Sequence, residues 1–98
     1  MSKSDLTFLG ELETIVNERL ANPSDASYTA RLAAAGPKRI AQKVGEEGLE
    51  VALASVAGDA DETLDEAADL VYHLIVLLAS QNLSLGDVAK RLESRHAD

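Results

Sequence analysis

The chain has 98 residues, 3% aromatic, with no cysteine and a formal charge of −8. That length suits one domain over residues 1–98 with a modest core. The charge argues against nucleic-acid backbone and anionic membrane surfaces as partners, and the absence of thiols excludes disulfides and thiolate metal sites, which fits a reducing cytoplasm.

Leu6, Leu9, Leu12, Val16 and Leu20 recur every three or four residues. They predict a first helix, capped by Ser4 or Asp5 and ending near Ala21. Asp5, Glu11 and Glu13 interrupt the apolar N-terminal stretch, against a signal peptide. Asn22 to Ser27 reads as a loop. Ser27 or Thr29 then caps a short helix that Gly36 ends. Pro37 suits the first turn of a long helix running to about Ala57. Gly58 and Asp59 break the chain, and a second long helix follows from about Asp61 to Gln81. Its apolar run Leu70–Ala79 contains His73 and is shorter than the about 20 residues a bilayer span needs. Ser84 and Asp87 resemble a capping box at the start of the last helix. The expectation is an all-α bundle of four or five helices around a central antiparallel hairpin.

The long helix from Pro37 carries an anomaly. At 100° per residue, Ile40, Val44, Val51 and Ala54 form one apolar stripe, and Glu47 falls inside it. Glu50 and Lys43 lie at its edge, with Glu46 and Arg39 further round. Gly45 and Gly48 interrupt the same helix, each costing about 1 kcal/mol relative to alanine. Leu49, Leu53 and Val56 make a second apolar surface on the far side, so burial on two sides is expected. The next helix is apolar around most of its circumference, with a polar stripe of Glu62, Glu66, Asp69 and His73. One short chain cannot cover so much apolar surface, which predicts an oligomer, most simply a homodimer.

In an antiparallel hairpin about Gly58, Glu50 lies level with Glu66, and Glu47 with Asp69. The i, i+3 pairs share a helix face. Four carboxylates then converge, and a hard divalent cation with oxygen ligands relieves their repulsion. Mg²⁺ keeps waters and takes phosphate oxygens, so an open site for a phosphorylated substrate is expected. The bland reading is that each acid is simply solvated or favours a helix N-terminus, as for Asp59, Asp61 and Glu62. Lys38, Arg39 and Lys43 are candidate phosphate-binding cations, or ion-pair partners of Glu46, Glu47 and Glu50. His73 is a base, a partner to a metal-binding acid, or a histidine satisfied at the core edge. Tyr28 stacks on a base or packs. Gly45 and Gly48 permit close helix packing or substrate approach. His96 reads as a solvated tail residue.

The stretches "SYTARL", "GPKRIAQKVGEEGLEVALA" and "EAADLVYHLIVLLA" resemble the phosphoribosyl-ATP pyrophosphohydrolase family of histidine biosynthesis. That family is similar in fold to the all-α, MazG-like nucleoside triphosphate pyrophosphohydrolases. The resemblance spans about residues 6 to 95. It implies Mg²⁺-dependent hydrolysis of phosphoribosyl-ATP to phosphoribosyl-AMP and pyrophosphate, with Mn²⁺ as a substitute ion. It also implies metal-binding roles for Glu47, Glu50, Glu66 and Asp69, and Glu46 or Glu47 as the residue that positions or deprotonates water. Some relatives are fused to a zinc-dependent cyclohydrolase; a cysteine-free chain of this length is expected to be the stand-alone form. Two rival readings stand beside this one: a pyrophosphohydrolase of another, noncanonical nucleoside triphosphate, and a non-catalytic helical dimerisation module.

Overall fold

The computed structural model describes residues 5–97. Five α-helices follow one another: α1 Thr7–Ala21, α2 Tyr28–Ala34, α3 Pro37–Ala57, α4 Ala60–Ser80 and α5 Leu85–Arg95. No strand occurs among the described residues. The all-α expectation therefore holds, and the two long helices fall within a residue of their expected ends.

Local chemistry sets each boundary. Leu6, not Asp5, holds the N-cap position of α1 and makes no side-chain cap bond; the Asp5 carboxylate, one residue earlier, still accepts the Thr7 N–H at 3.0 Å, and Ser4 lies outside the described residues. Ser27 caps α2 by accepting the Ala30 N–H. Pro37 occupies the first turn of α3, where a missing N–H costs nothing. Gly58 ends α3 with φ +82°, a left-handed conformation that favours glycine. Asp59 then caps α4, accepting the Glu62 N–H at 3.0 Å. Ser84 and Asp87 form the full reciprocal capping box of α5.

The two-residue connection Gly58–Asp59 forces α3 and α4 into an antiparallel hairpin, which carries the most extensive packing in the molecule. The core sits at one end of it. Val16 of α1, Leu32 of α2, Ile40 of α3, and Ile75 and Val76 of α4 form a single buried cluster. Around the turn, no residue from Ser55 to Tyr72 is fully buried. Leu49, Leu53, Val56 and Leu64 are exposed, Val56 at 86%. The second apolar face of α3 is thus not covered by the chain itself. The reason is geometric: α1 and α2 pack only against the core end, and the rest of the hairpin projects beyond them.

Candidate metal centre

The carboxylates lie on the hairpin between the core and the turn. Glu47 is on α3, and Glu66 and Asp69 are one turn apart on α4. One carboxylate oxygen from each lies within 4.8 Å of the other two. Glu47 is 5% exposed, where an apolar residue would ordinarily stand. Its Oε2 pairs with Lys43 Nζ at 3.3 Å. Its buried Oε1 has no hydrogen-bond partner. An unsatisfied buried carboxylate oxygen is costly. The Glu47 carboxylate is grouped with two more, a set in want of a cation, and the donors are all oxygen, as a hard divalent ion requires.

Of the four acids in the matched pairs, three converge tightly and Glu50 flanks them. Glu50 lines an adjoining cleft of about 210 Å³ with Leu53, Ala54, Glu62 and Glu66. The Glu66 carboxyl is held above its ordinary value, first by burial and then by the hydrogen bonding and charge of Glu50, with Glu47 and Asp69 adding to it. Glu46 lies outside the cluster: Gln42 Nε2 donates to its Oε2 at 3.0 Å, and Lys43 Nζ stands 3.9 Å from its Oε1.

Of the candidate cations Lys38, Arg39 and Lys43, Lys43 is engaged at the cluster. Its ammonium is held above its ordinary value chiefly by the hydrogen bond to Glu47. Arg39 and Lys38 are exposed near the start of α3. Arg39 precedes Lys43 by one turn and Glu46 by two, on the same side of the helix. Lys38 is nine residues before Glu47, two and a half turns, and so lies on the opposite side. His73 is buried one turn beyond Asp69. Its Nδ1 donates to the Asp69 main-chain oxygen at 2.8 Å, and its Nε2 is 2.9 Å from the Tyr28 hydroxyl. His96 is exposed at the end of α5.

Three features were not legible beforehand. Tyr72 hydrogen-bonds to Thr29 and ties α4 to α2 beside the site; no spacing rule links residues of two helices separated by a third. Gln42 reaches Glu46, an i, i+4 pair that the sequence does contain. At Gly45 and Gly48 nothing within 4 Å would meet an added Cβ. Packing within the chain therefore does not require either glycine.

A helical hairpin that concentrates acidic side chains around a buried, half-satisfied carboxylate defines an all-α protein with a site suited to a divalent cation. Among the described residues no helix is long and apolar enough by itself to cross a membrane. The chain belongs to the phosphoribosyl-ATP pyrophosphohydrolase family, whose profile matches residues 9–96. It is similar to the histidine biosynthesis bifunctional protein HisIE of Photobacterium profundum, 56% identical over 91 residues, covering 93% of this chain and 44% of that protein. HisIE of Vibrio cholerae is 53% identical over 94 residues, covering 96% and 45%. HisIE of Campylobacter jejuni is 54% identical over 93 residues, covering 95% and 45%. The chain thus spans a little under half the length of these relatives.

Proposed function

We propose that this chain hydrolyses phosphoribosyl-ATP to phosphoribosyl-AMP and pyrophosphate in histidine biosynthesis, with Mg²⁺ at the carboxylate cluster and Mn²⁺ able to replace it. Family membership supports the reaction. The observation that carries the site is buried Glu47, one oxygen without a partner, its carboxylate grouped with those of Glu66 and Asp69. These three would hold the ion, with Glu50 at its flank. A bound Mg²⁺ would supply charge neutralisation at phosphate oxygens and a more acidic water.

The chain's own groups do the rest. Lys43 fixes the Glu47 carboxylate through its ion pair to Oε2 and leaves Oε1 without a hydrogen-bond partner. Glu47 or the neighbouring Glu46 accepts the proton from the attacking water. The phosphoanhydride bond to the departing pyrophosphate breaks as the water oxygen bonds to phosphorus, and the new negative charge needs cationic partners. Arg39 and Lys43 lie on the side of α3 that can supply them; Lys38 is the third cation of that stretch and lies opposite. The nucleotide is a small-molecule substrate taken up in the cytoplasm, with neither nucleic acid nor membrane as partner.

The active form is a homodimer. The chain exposes 7090 Å², about 1700 Å² more than a compact monomer of its mass. Its radius of gyration is 14.8 Å, against roughly 12.6 Å for a compact domain of this length. An excess of that size matches the area an obligate dimer buries on each partner, and Leu49, Leu53, Val56 and Leu64 supply its apolar centre.

Pyrophosphate release from phosphoribosyl-ATP, measured beside a panel of canonical and noncanonical nucleoside triphosphates with and without Mg²⁺, tests this function. Mg²⁺-dependent release that favours phosphoribosyl-ATP is expected. Preferential turnover of another triphosphate would move the activity to that substrate, and no release from folded protein would remove it.

A further inference from the structure

Counting from Gly58 in both directions places Lys43 and His73 level across the hairpin, fifteen residues away on each side. They lie about one turn beyond the level of Glu47 and Asp69. The next level, Ile40 and Val76, belongs to the buried core. Lys43 and His73 therefore mark the inner end of the carboxylate groove. Tyr28, at the start of α2, stands over that end. Its hydroxyl meets His73 Nε2 at 2.9 Å, and its ring meets the His73 ring edge-on at 5.8 Å and lies tilted against Tyr72 at 6.1 Å. The residue is nevertheless 42% exposed.

The hydrogen bonds fix a direction. The Asp69 main-chain oxygen only accepts, so the proton of His73 is on Nδ1. Nε2 of the neutral ring is then an acceptor, and the Tyr28 hydroxyl donates to it. With its proton committed, the phenol oxygen offers only lone pairs to anything entering the groove. An ionised phosphate has no hydrogen to give it. A hydroxyl or amine has.

We propose that Tyr28, held as an acceptor by His73, binds a hydroxyl or amino hydrogen on the nucleoside part of the substrate. This holds the nucleoside against α2, at the end of the groove that Lys43 and His73 mark. Tyr28 is thereby a specificity residue and His73 a positioning residue. The inference rests on the nucleotide reading above and adds to it the group that is recognised and the residue that recognises it.

Steady-state kinetics of the wild type and Tyr28→Phe test it, using phosphoribosyl-ATP and analogues that each lack one donor of the adenosine portion: the 2′-hydroxyl, the 3′-hydroxyl or the exocyclic amine. Tyr28→Phe should raise KM about 5- to 10-fold, the effect of one hydrogen bond, and leave kcat nearly unchanged. One analogue should lose in the wild type what Tyr28→Phe loses, and lose nothing further in the variant; which analogue does so identifies the donor. His73→Phe should raise KM in the same selective way, and the double variant should be no worse than either single one. An unchanged KM in Tyr28→Phe, or a full penalty for every analogue in that variant, would overturn the proposal. Calorimetric Kd values for the same compounds give the same comparison independently of turnover, so loss of the hydrolytic reading and loss of this one are distinguishable.

Discussion

At the scale of single residues, Glu47 concentrates the physical tension in this molecule. It occupies an apolar position, pairs one oxygen with Lys43 and leaves the other without a partner. Glu47→Leu should therefore raise the stability of the metal-free protein by about 1–2 kcal/mol, seen as a higher Tm, while abolishing pyrophosphate release and any Mg²⁺-dependent rise in Tm. Lower stability in that variant would show that the carboxylate supports the fold and not the site. Glu66 gives a second residue-scale expectation. Its carboxyl lies above the ordinary value of 4.5 in the folded chain, through burial and the acids around it. Over that interval the folded chain binds a proton that the unfolded chain does not. Stability of the metal-free protein should rise as pH falls through the window above 4.5 and decline as pH rises back through it. Urea midpoints across this window, compared with those of Glu66→Gln, isolate the contribution; identical slopes would count against it. The sequence revealed the acids and their i, i+3 pairing, because both are one-dimensional. It placed all four acids on one patch, whereas Glu47, Glu66 and Asp69 form the tight group and Glu50 flanks it, because a level in the hairpin does not fix the reach of a side chain.

At the scale of elements, two neighbouring residues set the register that brings the acids together. Gly58 takes the left-handed conformation that ends α3, and the Asp59 side chain starts α4. Gly58→Ala and Asp59→Ala should each cost about 1 kcal/mol, measured as a fall in Tm. Both should leave pyrophosphate release substantial wherever the protein is folded, since neither residue belongs to the acid cluster. Turnover lost with stability unchanged would indicate that the turn acts on chemistry directly. These caps were readable in advance, since glycine after an apolar run and aspartate before an acidic turn are local signals. The Thr29–Tyr72 and Tyr28–His73 bonds were not. They join α2 to α4 across a separation of more than forty residues, and only the folded chain brings those helices side by side.

At the scale of the whole molecule, the projecting half of the hairpin is the dominant fact. Leu49, Leu53, Val56 and Leu64 are in water in the isolated chain. If a second copy covers them, the Tm should rise with protein concentration, and Leu53→Glu should shift the protein to monomer in sedimentation. A concentration-independent Tm together with a monomeric wild type would end the dimer reading. The sequence alone determined the helices, the caps of α2, α4 and α5, the antiparallel hairpin and the surplus of apolar surface, because periodicity, turn chemistry and composition are properties of neighbours along the chain. Tertiary structure alone decided that the core occupies one end of the hairpin, that Glu47, Glu66 and Asp69 form the tight group, and that Tyr28 turns its hydroxyl to His73. Those outcomes depend on distances between helices, which spacing along one helix does not contain.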